Sequence, residues 1–388
     1  MKQAICSFIY HKILGWKAEV SVPDFDKCII CAAPHTTNWD LFIGKLFISA
    51  IGRESGFMMK KEWFFFPLGI LFRWMGGIPV HRDKRTSMVD HAKLIPRCTE
   101  EEMYTLLTED LAEAARLLPP TPGPEKARVA NIAAYTLLAK VYLTFGKPAE
   151  AKTALEEAMK NTSYGLESTT KKVFDVGNKM NREIIFALYY NKTNDNGHGY
   201  WYSANTDVLA DINNPTPTFK AIYDSEKDNR LPLISSYTKI KDNLFAMTKW
   251  YDTYDATYTT QVGNDFPHLR YADVVLMYAE ALAESGGSLG DALEWLNKTR
   301  TRAGLDELTT DEVKSLAEFR RELAAERGRE FALEGHRWFD LVRLGLAVDY
   351  FREMGYSLDS HNLIFPIPQN QIEIVNNPSI LWQNPGFN

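Results

Sequence analysis

In the last three quarters of the chain, apolar residues recur at the three- and four-residue spacing of helices that pack on a core. Thr99 and Glu102 have the spacing of a capping box, which predicts the start of a helix. The proline-rich residues 119–124 predict where that helix ends. Two Ala-rich segments, residues 127–145 and 148–160, follow as a predicted helical pair.

A second helical pair is predicted much later, at residues 271–284 and 289–303, with glycines at the turn. Pairs of roughly 34 residues with small facing side chains are typical of tetratricopeptide units. We therefore predict a mainly α fold, with a tetratricopeptide-like helical repeat scaffold at residues 99–160 and 270–345. A loop-rich insertion, residues 161–269, separates the two parts of this scaffold.

The insertion is rich in Asn, Asp, Tyr and Thr, and a strand-like fragment occupies residues 183–190. Its aromatic side chains suit carbohydrate, because flat rings stack on the C–H faces of sugars while polar side chains bind the hydroxyls. The alternative is that these rings pack the loops onto the helices. We predict a ligand site in the glycine-containing residues 196–205, centred on Trp201. The expected ligand contacts are His198, Tyr200, Trp201, Tyr202 and Asn205.

The first 93 residues have a different pattern, that of a small α/β fragment. A buried strand, residues 27–33, leads through a polar loop into a helix, residues 41–51. His35 and Asp40 lie across that loop, where the carboxylate can orient the imidazole and raise its basicity toward a hydroxyl. On spacing alone, a His and an Asp five positions apart are also common without any catalytic role.

Two further features of this fragment carry candidate chemistry. Arg82 follows a short predicted strand, where a guanidinium can hold a phosphate bidentately, although a solvated Arg is the simpler interpretation. Residues 60–74 mix aromatic and basic side chains, which is typical of contact with a membrane interface. A core helix with an aromatic face is the alternative. No apolar stretch reaches the ~20 residues needed to cross a bilayer.

Charge divides the chain at the same place. The net charge is −6, but residues 1–93 carry 13 Lys and Arg against 8 Asp and Glu, and residues 94–388 carry 31 against 42. The acidic second part argues against nucleic-acid binding. Cys28 and Cys31 lie in an apolar run and are interpreted as core thiols, so neither a metal site nor a cofactor is predicted. The first residues have no features of a signal peptide and no lipidation Cys, so no export signal is expected.

The first segment resembles the glycerolipid acyltransferases that act on lysophosphatidic acid. The resemblance rests on residues 33–40 (APHTTNWD), 59–69 (MKKEWFFFPLG) and 76–82 (GGIPVHR). It implies that His35 is the general base, that Asp40 orients it, and that Arg82 binds the acceptor phosphate. The family's later Pro-Glu-Gly-Thr-Arg-like block is absent, so residues 1–93 are a truncated fragment with a catalytic dyad that is expected to be inactive.

The remainder resembles the SusD/RagB family. The resemblance rests on residues 270–281, 326–341 and 365–369 and on the ending at residues 384–387, and it runs from about Ile95 to the end. It implies a Bacteroidetes outer-membrane lipoprotein that binds a glycan or other nutrient and caps a TonB-dependent, SusC-like transporter. Compared with that family, the N-terminal helices are missing.

The charged residues 326–341 are read as one helix, and the family resemblance makes them structural rather than catalytic. We predict that its basic side chains pair with neighbouring acidic groups in an ion-pair network. The basic members are Arg327, Arg329, Arg337 and Arg343, and the candidate partners are the carboxylates Glu330, Glu334 and Asp340. The alternative is that these carboxylates form a metal or acid/base cluster with His336.

Three hypotheses follow for the whole chain. The main one is a non-catalytic, SusD-like glycan-binding component of nutrient uptake at the outer membrane. The alternative is a 1-acylglycerol-3-phosphate acyltransferase at the cytoplasmic face of the inner membrane, in which residues 94–388 are an appendage. The third is an accidental fusion of two truncated reading frames near residues 93–97.

Overall fold

A computed structural model describes residues 97–121, 128–190, 198–199, 203–205, 216–241, 244–250 and 261–387, with short pieces of the first 93 residues: 7, 8, 10, 12, 48, 49, 57–61, 72, 73 and 77–80. The chain divides into two compact units. The first unit comprises residues 1–97 and 366–383, and the second comprises residues 98–365 and 384–388.

In the first unit, strands β1 (Phe57–Lys60) and β2 (Gly77–Val80) pair in parallel, in register from Phe57 with Gly77 to Lys60 with Val80. The predicted short strand before Arg82 is therefore present. This unit also contains the last helix of the chain, Gln369–Val375, which ends at Asn376 in the left-handed conformation.

The second unit begins with helices α1 (Glu100–Leu117), α2 (Asn131–Thr144) and α3 (Pro148–Met159). The capping box at Thr99 is present as predicted, because the Thr99 hydroxyl accepts from the Glu102 N–H and the Glu102 carboxylate accepts from the Thr99 N–H. Helices α2 and α3 are joined at Gly146, whose φ of +67° favours glycine at this turn.

The small side chains of α2 and α3 let the two helices pack closely, as the sequence predicts. Ala133, Ala139, Ala151, Ala154 and Ala158 all lie in one buried cluster. Leu155 of α3 is fully buried among them.

The insertion consists of short elements. These are α4 (Thr170–Val173), β3 (Ile184–Leu188), β4 (His198–Gly199), β5 (Ser203–Asn205), α5 (Pro217–Lys220), α6 (Leu231–Ser235), β6 (Tyr237–Lys241), β7 (Leu244–Met247), β8 (Gln261–Val262) and β9 (Phe266–Arg270). Strands β3 and β9 pair antiparallel, with Ile184 opposite Arg270 and Leu188 opposite Phe266. Strand β7 lies between β5 and β6, and β4 pairs with β8.

The second helical region follows β9 without a break. It comprises α7 (Tyr271–Glu284), α8 (Leu289–Arg302), α9 (Leu316–Glu330), α10 (Arg337–Arg343) and α11 (Ala347–Glu353). The predicted pair at residues 271–284 and 289–303 is confirmed to within one residue. Its helices bury a second cluster with α9, which includes Leu276, Leu296 and Phe319.

The prediction of one helix through residues 326–341 is wrong. Helix α9 ends at Glu330, and α10 begins only at Arg337. Between them Leu333 has a φ of +64° and Gly335 a φ of +83°, values that a right-handed helix does not allow. The turn lets the backbone carbonyl of Ala332 accept a hydrogen bond from the buried ammonium of Lys249, and this tertiary contact is not visible in the local pattern.

Candidate ligand-binding site

A buried ion-pair cluster fixes the insertion against α9. Arg270, at the end of β9, donates to Glu183 (2.8 Å) and Glu330 (2.6 Å) through Nη1 and to Glu334 through Nε (2.7 Å). Its Nη2 also donates to the backbone carbonyl of Glu330 at 2.6 Å. Glu183 immediately precedes β3, so this guanidinium joins the ends of both paired strands to the end of α9.

Two more arginines complete the cluster. Arg230 holds Asp228 bidentately at 2.9 and 2.8 Å and donates to Glu326 (2.7 Å) and Glu330 (3.0 Å). Arg302, at the end of α8, pairs with both Glu183 and Glu330. Burial alone would raise the pKa of Glu330, but the guanidiniums of Arg302, Arg270 and Arg230 hold that pKa well below its ordinary value. Glu330 is therefore held as a carboxylate between three guanidiniums.

A neighbouring group of ion pairs fixes α10. Arg327 of α9 pairs with Asp273 of α7 and with Asp340 of α10, each at 2.8 Å. Arg343 also pairs with Asp340, at 2.8 Å, and with Glu280. Because Asp340 accepts from both arginines, the predicted ion pairing of Arg327 and Arg343 is confirmed.

The other two predicted arginines have different partners. Arg329 pairs with Glu326, one turn earlier on α9. Arg337 donates to the backbone carbonyl of Ala324 and lies over the ring of Tyr350, 4.5 Å from its centroid.

His336 is partly buried beside this group, and its ring stacks on Phe331 with centroids 4.5 Å apart. Burial lowers its pKa to about 4, although the Asp273 carboxylate opposes the shift. Within the part of the chain that the structure describes, no three His, Cys, Asp or Glu side chains come together as a metal site. The acidic residues of 330–340 pair with arginines and, at Glu334, also with Lys249.

An aromatic path leads from the interior to the surface at the β3–β9 sheet. Trp250 stacks on Phe266 (5.4 Å, 12°) and meets the edge of Phe174 (5.2 Å, 73°). Phe266 meets His268 edge-on at 5.3 Å, and the exposed His268 in turn stacks on Phe186 at 5.9 Å. Most of these rings pack the strands onto the core, which agrees with the packing alternative for the insertion's aromatics.

Tyr189 is different, because it follows β3 with 46% of its surface exposed. The ammonium of Lys179 lies 4.6 Å from the centroid of its ring. Lys179 is itself fixed, since Nζ donates to Asp265 Oδ1 (2.9 Å) and to the backbone carbonyl of Tyr190 (2.5 Å). Asp265 Oδ1 also accepts from the Tyr190 N–H at 3.0 Å. We call these side chains, Tyr189, Lys179 and Asp265, the Tyr189 ledge.

Of the predicted ligand contacts, two lie in described strands. His198 is in β4, opposite Val262 of β8, and Asn205 is in β5, opposite Leu244 of β7. Tyr200, Trp201 and Tyr202 lie outside the described residues, so the predicted site stays a prediction.

The predicted acyltransferase residues His35, Asp40 and Arg82 also lie outside the described residues. Of residues 60–74, only 60, 61, 72 and 73 are described, and Phe72 is buried. In the described part of the chain, no helix is both long and apolar enough to cross a membrane.

The Tyr189 ledge was not predicted from the sequence. Lys179 and Asp265 are 86 positions apart, and no motif joins them. The signal that was available is the aromatic pair at Tyr189 and Tyr190, directly before the predicted ligand segment.

Comparison with known proteins gives one matching family model, which covers the C-terminal part of the chain. Residues 228–387 match the family model described as the SusD family. The SusD-like protein P2 of Formosa agariphila is 26% identical over 360 residues, which cover 82% of this chain and 71% of that protein. The starch-binding protein SusD of Bacteroides thetaiotaomicron is 33% identical over 154 residues, 37% of this chain and 26% of that protein.

A solved structure described as a laminarin binding SusD-like protein superposes with a TM-score of 0.58 at 25% identity, over 76% of this chain and 74% of that one. The mainly helical fold is therefore that of SusD-like proteins. The chain spans 71% of the Formosa agariphila relative but only 26% of the starch-binding one.

Proposed function

We propose that this chain, whose residues 228–387 match the SusD family model, binds a glycan as a non-catalytic component of a nutrient-uptake system at the outer membrane. The observation that carries the proposal is the family match together with what two relatives are named for. One relative is named a starch-binding protein, and one solved structure is described as laminarin binding. Starch and laminarin are both glucose polymers.

The buried framework supports the same function. Arg230, Lys249, Arg270, Glu326 and Glu330 all lie within the family segment, where they hold the insertion on the helices. Such a framework places surface loops rigidly, as a binding protein requires.

The ionisation of the acidic groups supports binding without hydrolysis. A glycosidase needs a carboxylic acid whose pKa is raised, so that it is protonated and can act as general acid near neutral pH. Among the described residues, every carboxyl group with a clearly shifted pKa is shifted downward. Glu326, Glu330 and Glu334 are shifted by neighbouring arginines or lysine, which outweigh the effect of burial.

The partner we propose is a TonB-dependent, SusC-like outer-membrane transporter, which this chain would cap from outside the cell. The support is the SusD-family segment. Co-purification of a tagged chain with such a transporter from detergent-solubilised outer membranes tests this part. Recovery of the tagged chain in the soluble fraction, free of any transporter, would contradict it.

Calorimetric titration with maltohexaose and laminarihexaose tests glycan binding directly. We expect a dissociation constant near 1 mM for at least one of them, which corresponds to about −4 kcal/mol. The same mixtures, assayed for new reducing ends, should show none. Absence of binding to both oligosaccharides and to starch and laminarin, or release of reducing sugar, would contradict the proposal.

A further inference from the structure

We infer that the Tyr189 ledge is a contact surface for one ring of a neutral glycan, in addition to the predicted loop at residues 196–205. The inference rests on the proposed function and adds residues that the sequence did not single out. It follows from an exposed ring, a fixed ammonium and a buried carboxylate that lie together at the end of β3.

The exposed ring is held in place before any ligand arrives. Tyr189 leaves 46% of its surface in solvent, although it directly follows a strand whose first two residues are buried. Lys179 lies over the ring and is tied to Asp265 and to the backbone of Tyr190. A prepositioned flat ring loses little conformational entropy when a sugar stacks on it, so it contributes to affinity.

The ammonium beside the ring has unused hydrogen-bonding capacity. An ammonium carries three N–H donors, and Lys179 uses one for Asp265 and one for the Tyr190 carbonyl. Its side chain is 25% exposed. A sugar hydroxyl can therefore accept the third N–H of Lys179.

Charge decides which glycan fits. The Lys179–Asp265 pair is neutral as a unit, with N and O 2.9 Å apart, so it offers no net positive charge to a sulfate or uronate. The ledge therefore suits a neutral polysaccharide and disfavours an acidic one.

Position along the chain connects the ledge with the predicted site. Tyr190 directly precedes the segment that leads to His198 in β4 and Asn205 in β5. The ledge and the predicted site are therefore neighbours along the chain.

The test is calorimetric titration of the full chain with maltohexaose and laminarihexaose, using an acidic alginate hexasaccharide as the third probe. Tyr189→Ala should weaken binding of the neutral probe at least tenfold, whereas Tyr189→Trp, which keeps a flat ring, should stay within threefold of the parent. The matched control is Tyr356→Ala, because Tyr356 is also exposed, at 61%, and lies far along the chain in the helical region. Its affinity should be unchanged.

The outcomes separate the two claims. If the parent binds a neutral probe and Tyr189→Ala binds it equally well, the ledge is not a contact surface and the proposed function stands. Tighter binding of the alginate probe than of the neutral ones would also overturn the inference. If the parent binds no glycan, the proposed function fails and the inference fails with it. Melting temperatures of the exposed-site variants within about 1 °C of the parent would show that folding is not the cause.

Discussion

At the scale of single residues, burial determines how much an ion pair matters for the stability of the fold. Arg116 and Glu113 pair on the outside of α1, at 2.6 Å with more than half of each side chain exposed, and such pairs contribute little. Arg270 pairs at the same distance with Glu330, but both are buried. Taking one partner away there leaves carboxylates that water cannot solvate.

We predict that Arg270→Met lowers the free energy of unfolding by about 3–5 kcal/mol, because Glu183, Glu330 and Glu334 lose a shared buried partner. Arg116→Met is the matched control and should cost far less, because solvent screens this exposed pair. Urea denaturation of both variants at pH 7 measures the difference. Equal costs would show that the buried cluster does not stabilise the fold.

His336 predicts a dependence of stability on pH. Burial lowers its folded-state pKa from 6.5 to about 4, so the unfolded chain binds a proton between these values that the folded chain does not. The stability that the neutral His336 ring contributes is fully present above pH 6.5. It is lost as the pH falls toward 4, by about 3 kcal/mol in all. His336→Gln should lower by about one the number of protons that the chain takes up on unfolding in that range, and this number is measured as the slope of the unfolding free energy against pH. An unchanged slope between pH 6.5 and 4 would contradict this assignment.

At the scale of elements, the caps and turns of α9 place the charged cluster. The helix begins with a capping box, in which Ser315 accepts from the Glu318 N–H at 3.2 Å and Glu318 accepts from the Ser315 N–H at 3.1 Å. It ends at Glu330, where the left-handed Leu333 and Gly335 turn the chain toward α10. A helix that continued through this point would carry Glu334 away from Arg270.

Ser315→Ala should lower the free energy of unfolding by about 1 kcal/mol, because the N–H of Glu318 loses its acceptor at the start of α9. Ser225→Ala, at an exposed position outside the helices, is the control and should change it by less than about 0.5 kcal/mol. Thermal or urea unfolding compares the two. Indistinguishable variants would show that the cap does not stabilise α9.

At the scale of the whole molecule, the two units carry different predicted chemistries. The second unit contains most of the segment that matches the family model, residues 228–365 and 384–387 of it. The first contains residues 1–93, for which the sequence predicts an acyltransferase-like fragment. The predicted dyad is His35 and Asp40, and the later acceptor-positioning block of that family is not predicted to accompany it. Orientation of reactants accounts for roughly 7–11 kcal/mol of a barrier, so a dyad alone is a weak catalyst.

We therefore predict that the purified chain does not transfer acyl groups from acyl-CoA to lysophosphatidic acid. His35→Ala should be indistinguishable from the parent in that assay and should bind glycans with the same affinity. Turnover by the parent that His35→Ala abolishes would establish the acyltransferase alternative instead.

The sequence by itself determined the helical scaffold. The pairs around Gly146 and Gly286, the cap at Thr99 and the buried alanines of α2 and α3 depend on spacing within a few residues, and local spacing is what periodicity and capping describe. The resemblance to the SusD family rests on such contiguous motifs and agrees with the match over residues 228–387.

Only the tertiary structure decided where α9 ends and which groups meet at the ledge. Lys249 reaches the carbonyl of Ala332 across 83 positions, and Lys179 reaches Asp265 across 86. Contacts of this kind leave no period in the sequence, because they depend on how the insertion folds back onto the helices. For the same reason the sequence indicated that Arg327 would pair with a neighbouring carboxylate such as Asp340, but not that Arg270 and Glu183 would share a buried cluster with Glu330.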